Sequence, residues 1–154
     1  MSIVEKIEPL AYKVANPVMK ALLRSPLHGV VSKSIALLHF RGRKSGRDFV
    51  TPLSYVRQGH SVWLLSAHST RWWMNLREKG TPVSLEIARE TLAGKARLWD
   101  GDSEALRDHV RRYLTVLPRD AKFYGIELDE KNHPVEESIA RVAPDLVFVE
   151  VELD

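Results

Sequence analysis

The chemistry of this chain concentrates in positions 39–47, which read His-Phe-Arg-Gly-Arg-Lys-Ser-Gly-Arg, four cations without an acid. Gly42 and Gly46 let the backbone take positive φ and bring N–H groups close to an anion. Arg43 and Arg47 offer planar donor forks, Lys44 a point charge and Ser45 a hydroxyl. This set suits a phosphate or a polycarboxylate tail, although a solvated, charged hairpin tip has the same composition. It is not a Walker A loop, which needs Gly-x-x-x-x-Gly-Lys-Ser/Thr entering a helix.

Other reactive side chains are scattered. The six histidines lack the His-x-x-x-His spacing of a helical metal site, so no metal is expected. With no cysteine in the chain, a disulfide framework, a thiolate metal site and a Cys nucleophile are excluded. No Ser-His-Asp arrangement stands out. Trp72 and Trp73 are adjacent, so on a helix they point about 100° apart, one into the core and the other toward a cavity. Tyr124 lies among Leu114, Leu117 and Phe123, an apolar set suited to covering a pocket.

These residues need a scaffold. A chain of 154 residues, 44% hydrophobic, buries a core as a single domain and is not disordered. We expect one domain over 1–154 with an N-terminal helical segment. Asn16 and Pro17 open a helical pattern through Ser32, kinked at Pro26 and Gly29. The N-terminal 30 or so residues also have the amphipathic spacing of a peripheral membrane contact. No run of about 18 apolar residues is present, and no signal-peptide pattern, so a cytoplasmic location is expected. Net charge is only +3. The cations sit in one turn rather than over a broad face, which argues against nucleic acid.

Strand patterns cover Ile35–Arg41, Phe49–Val56 and Ser61–Ala67, joined by short turns that pair them antiparallel. Thr70–Lys79 has a helical pattern capped by Ser69 or Thr70 and ended by Gly80. Strands follow over Pro82–Ala88 and Thr91–Trp99. Asp102 or Ser103 caps a helix to about Leu117, and a further helix spans Val135–Val142. Leu146–Leu153 alternates and closes as a strand. About six antiparallel strands with inserted helices predict an α+β fold, a small barrel or an open sheet.

The segment Gly42-Arg43-Lys44-Ser45-Gly46-Arg47, followed by Thr51-Pro52-Leu53 and Tyr55, resembles the deazaflavin-dependent nitroreductase family of flavin and deazaflavin oxidoreductases. Leu23-Arg24-Ser25-Pro26-Leu27 and Trp73-x-Asn75-Leu76 support the resemblance, which runs from about Asn16 to Gly101. It implies a six-stranded, antiparallel split β-barrel of the FMN-binding type with peripheral helices. It also implies a reductase using reduced deazaflavin coenzyme F-420 to pass hydride to a quinone, nitro or unsaturated small-molecule acceptor. By resemblance, Arg43, Lys44, Ser45, Gly46 and Arg47 hold the cofactor's phosphate and acidic tail. Thr51, Pro52 and Leu53 run beside its ring system. Ser66, Ala67 and His68, with Asn75 from the following helix, approach the cofactor by the same resemblance. From its place at the start of that helix Trp73 is expected to line the acceptor side, and Tyr124, outside the span of the resemblance, to close the pocket from the C-terminal part. A homodimer is implied in the same way. Phe49 stands where members of the family often carry Arg, and FMN, with a single phosphate, needs fewer cations. An FMN-binding or haem-binding split barrel and a non-enzymatic carrier of a cofactor or apolar ligand therefore remain as alternatives.

Overall fold

A computed structural model of the protein describes residues 35–154. The helix expected over Pro17–Ser32, its membrane contact and the Leu23–Leu27 part of the resemblance lie outside the described residues. Seven strands form one antiparallel sheet: β1 (Ile35–Arg41), β2 (Asp48–Ser54), β3 (Val56–Gln58), β4 (Ser61–Ala67), β5 (Thr81–Ile87), β6 (Glu90–Asp100) and β7 (Leu146–Leu153). Helix α1 (Glu104–Val116) and helix α2 (Glu136–Val142) lie between β6 and β7. Among the described residues no helix is long and apolar enough to cross a membrane.

The strand order is β2-β1-β5-β6-β7-β4-β3, so β2 and β3 are the two edges of the sheet. Only Tyr55 separates them in the chain. Ser54 and Val56 are two Cα steps apart, at most about 7 Å. The sheet must therefore curl until its edges nearly meet, which makes it a split barrel. The same fact corrects the expected strand count from six to seven. Phe49–Val56 does not run as one strand, because Asp48–Ser54 pairs with β1 whereas Val56–Gln58 pairs with β4.

Alternation decides what the curl encloses. Val147, Val149 and Val151 of β7 face an interior filled by Ala36, Leu38, Leu64, Val83 and Leu85. The opposite face of β7 presents Leu146 and Phe148 to Leu106, Val110, Tyr113 and Ile139 of the helices. Both faces of this strand are buried, and each fully buried side chain of this size contributes about 1.5–3 kcal/mol. At Gly94 of β6, a Cβ would lie 2.7 Å from the Glu152 carbonyl oxygen, so only glycine permits this close approach of β6 to β7. Helix α1 begins where expected, with Ser103 Oγ accepting the Leu106 N–H at 3.0 Å.

The helix expected over Thr70–Lys79 is instead two short 3-10 turns, His68–Thr70 and Trp72–Leu76. Arg71, at φ 64°, breaks the run. Burial explains the break. Trp72, Trp73 and Leu76 all enter the barrel interior, and i to i+3 spacing stacks Trp73 and Leu76 on one side. Both indole N–H groups are satisfied, Trp72 Nε1 by Ser66 Oγ at 3.1 Å and Trp73 Nε1 by the His68 carbonyl at 3.0 Å. The turn thereby plugs one end of the barrel.

Candidate functional site

The cationic segment is the turn joining β1 to β2. Gly42 N–H donates to the Arg47 carbonyl at 2.7 Å, and Gly46 N–H to the Gly42 carbonyl at 3.0 Å. Gly46 sits at φ 70°, a left-handed conformation that favours glycine. A Cβ on Gly42 would lie 2.6 Å from Ser45 Oγ and 2.7 Å from the Phe49 ring. The Phe49 ring stacks on Phe40 at 5.6 Å and remains 43% exposed.

The turn is tied to the barrel plug. Arg43 N–H donates to Asn75 Oδ1 at 2.8 Å, and Asn75 Nδ2 donates to the Trp72 carbonyl at 3.0 Å. Trp72 in turn donates to Ser66 Oγ, which also lies 2.8 Å from Thr70 Oγ1. A chain of hydrogen bonds thus runs from the cationic turn through Asn75 to the end of β4.

Four backbone N–H groups of the turn are already engaged: those of Gly42, Gly46 and Arg47 within the turn, the last by Ser45 Oγ at 3.2 Å, and that of Arg43 by Asn75. The expectation that the glycines free N–H groups for an anion is corrected to this extent. The Lys44 and Ser45 N–H groups have no partner among the described residues. The side chains are different. Arg41 lies 3.6 Å from Asp48, whereas Arg43, Lys44 and Arg47 are exposed and have no ion-pair partner among the described residues. Further along β2, Thr51 is 1% exposed, and its Oγ1 lacks a hydrogen-bond partner among the described residues. An orphaned buried hydroxyl costs about 1–3 kcal/mol. The exposed cations, without an ion-pair partner among the described residues, fit an anionic group at the turn, whereas Thr51, four residues past Arg47, is on the face of β2 that carries Leu53 and pairs with Leu38 in the barrel interior.

The remaining expected residues divide. Pro52 is half-buried and Leu53 is buried, with Leu53 in the barrel interior. Ser66 and Ala67 are buried: Ser66 Oγ holds Trp72, and the Ala67 carbonyl accepts from Thr70 Oγ1 at 2.9 Å. They position the edge and present little surface. Asn75 spends both ends of its amide on the turn and on Trp72, which makes it a clamp. Trp73 is 1% exposed and is a core residue, not a free wall, because His68 and Arg77 lean on its ring. Tyr124 is 9% exposed and donates to the Leu65 carbonyl at 2.9 Å. It belongs to the helical layer outside the barrel, away from the interior that holds Trp73.

His68 does reach solvent. Its Nε2 lies 3.0 Å from Asp100 Oδ1, while Arg77 Nη2 lies 3.2 Å from Asp100 Oδ2. The imidazole sits 4.6 Å from the Trp73 ring and the Arg77 guanidinium 4.9 Å from it. Neither Asp100 nor Arg77 is conspicuous in sequence. The pairings Ala67 with Leu146 and Val147 with Asp100 bring the ends of β4, β7 and β6 together.

A second polar group is buried beyond the barrel. Tyr113 OH donates to Asp120 Oδ2 at 3.0 Å, and Arg119 Nε lies 3.6 Å from Asp120 Oδ1. Burial pushes the Asp120 carboxyl above its ordinary range and the Tyr113 hydroxyl well above its own, so Tyr113 remains a donor. An open cleft of about 300 Å³ lined by Pro118, Arg119, Ala121, Lys122, Ile126 and Leu128 lies in the same segment and shares no residue with the turn or the β4 edge.

Comparison with known proteins adds to this geometry. The model of the family described as F420H(2)-dependent quinone reductase matches residues 24–119. None of the curated proteins matches the sequence. Among solved structures, an F420-H2 dependent reductase is similar, with TM-score 0.53, 18% identity, and coverage of 78% of this chain and 95% of that one. A general stress protein 26 relative of the pyridoxinephosphate oxidase family from Clostridium acetobutylicum gives TM-score 0.53 at 13% identity, covering 87% and 84%. The haem-storage protein HutZ of Vibrio cholerae gives TM-score 0.51 at 15% identity, covering 85% and 90%. At such identities the three structures establish the split-barrel fold alone, and it hosts more than one cofactor.

Proposed function

The chain belongs to the F420H(2)-dependent quinone reductase family, and on that premise we propose that it reduces a quinone-like acceptor at the edge between the cationic turn and His68. Membership makes it an oxidoreductase that depends on reduced coenzyme F-420. The choice over FMN and haem comes from the family, since the fold is shared with proteins of other cofactors. When bound, the reduced deazaflavin supplies a hydride.

In this reading Arg43, Lys44 and Arg47 hold the phosphate and acidic tail, assisted by the Ser45 hydroxyl and the Lys44 and Ser45 N–H groups. Gly42 and Gly46 give the turn its shape. The backbone of Thr51, Pro52 and Leu53 runs beside the cofactor beyond the tail. Ser66, Ala67, Trp73 and Asn75 position the site without touching the ligand. Tyr124 has no part in it. His68 takes the polar end of the acceptor.

The observation that carries the reading is the set of three exposed cations, without an ion-pair partner among the described residues, clamped to the barrel through Asn75. Binding of coenzyme F-420 to the purified protein, followed by fluorescence, tests it. FMN and haem serve as competitors, and oxidation of the bound, reduced cofactor by menadione tests the acceptor class. Saturable F-420 binding at micromolar concentration with menadione-dependent oxidation is expected. Preference for FMN or haem would refute the cofactor assignment. The acceptor class, the cytoplasmic location and a homodimeric assembly are parts of the same proposal, the last checked by light scattering.

A further inference from the structure

We propose that His68 donates the proton that completes quinone reduction, and that Asp100, bridged to Arg77, is the residue that positions it. The inference rests on the quinone reading above and goes beyond it by assigning the proton. Asp100 Oδ1 takes the Nε2 side of the imidazole at 3.0 Å. That contact leaves Nδ1 as the ring nitrogen facing outward from the pair, on a side chain that is half exposed. The second carboxylate oxygen is held by Arg77 at 3.2 Å, so Asp100 cannot swing away without losing both partners. Trp73, locked in the core by its bond to the His68 carbonyl, supports the imidazole and the guanidinium. A carboxylate against one ring nitrogen leaves the other to meet an acceptor.

The acceptor receives two electrons and one proton as hydride, and negative charge develops on its oxygen. The His68 Nδ1–H bond breaks and an O–H bond forms, leaving neutral His68 with its remaining proton on Nε2, against Asp100. His68 recovers a proton from water, which offsets the one released when the reduced cofactor is oxidised. Among the described residues, the charged groups found around His68 are Asp100 from β6 and Arg77 from the end of the barrel plug.

Two measurements test the assignment. Long-range proton–nitrogen NMR of the ligand-free protein reads the neutral tautomer directly. The expected result is a proton on Nε2 in the parent and a mixture in Asp100→Ala. A parent proton on Nδ1 would overturn the proposal. Steady-state reduction of menadione by F-420-loaded protein then separates roles. His68→Gln is expected to lower kcat about tenfold to a hundredfold, to leave the F-420 Kd within about twofold, and to abolish the fall in kcat with rising pH that a protonated donor imposes. Asp100→Ala is expected to lower kcat in the same direction. An unchanged pH profile with kcat within about twofold in His68→Gln would overturn this inference while the cofactor assignment stands. Failure of the parent to bind F-420 or to reduce menadione would instead remove the reading beneath it.

Discussion

Asn75→Ala isolates the coupling between the cationic turn and the barrel. Asn75 accepts the Arg43 N–H at 2.8 Å and donates to the Trp72 carbonyl at 3.0 Å. Each such bond contributes a net 0.5–1.5 kcal/mol, roughly. Both lie near the surface, where water replaces a lost partner, so the pair is worth about 1–2 kcal/mol. For a chain of this length that lowers Tm by about 2–8 °C. The turn keeps its own closure through Gly42 and Gly46 but loses its docking, and re-fixing about one residue of backbone on binding costs about 1–2 kcal/mol. Affinity for F-420 should fall about tenfold. Asn75→Asp sharpens the test. It keeps the acceptor for Arg43 N–H and so retains part of the stability, but places a carboxylate beside Arg43 that competes with the anionic tail. Thermal unfolding by circular dichroism and F-420 titration by fluorescence are the two assays. Unaltered Tm and unaltered affinity in Asn75→Ala would refute the clamp. Loss of the folded state would refute its confinement to the turn.

Three further outcomes are expected. Lys44→Ala with Arg47→Ala should weaken F-420 binding about tenfold to a hundredfold with Tm nearly unchanged, because neither side chain has an ion-pair partner in the described structure; parent affinity should also fall with salt, and salt-independent binding in a titration series would contradict the tail assignment. Gly94→Ala should cost about 1–3 kcal/mol, read from urea unfolding, since the new methyl meets the Glu152 carbonyl oxygen at 2.7 Å; a neutral result would mean that β6 and β7 separate easily. Asp120→Asn should be more stable than the parent at pH 7, with the advantage shrinking toward pH 4. Burial raises the folded carboxyl above its unfolded value, so the folded state holds the proton more tightly and the parent loses stability as pH rises through that window; an advantage that grows toward acid would reverse the assignment.

Much of the fold was legible because it is written in local pattern. The alternation of Leu146–Leu153, the Ser103 cap of α1 and the glycine-bounded turn at 42–47 each depend on neighbours within a few residues, and each stands as read. The family resemblance rested on such local motifs too, chiefly the cationic turn and Thr51-Pro52-Leu53. What failed depends on partners far along the chain. Phe49–Val56 has a continuous strand pattern, yet the curl of the sheet divides it at Tyr55 because its two halves meet β1 and β4. Thr70–Lys79 has a helical pattern, yet two indoles and Leu76 must enter one barrel end, and the backbone tightens to 3-10 turns around Arg71. The same burial moves Trp73 from the site wall into the core.

The candidate site divides along the same line. Sequence by itself determined where cations cluster and that glycine shapes their turn, because backbone conformation and charge are properties of the segment. Only the tertiary structure decided what holds that turn, and which groups share the edge with His68. Asn75 lies 32 residues from Arg43, and Asp100 meets both His68 and Arg77 only because β4, β7 and β6 end side by side. A hydrogen bond or an ion pair reaches about 3 Å, so groups this distant in sequence become partners only when packing of the sheet brings them together.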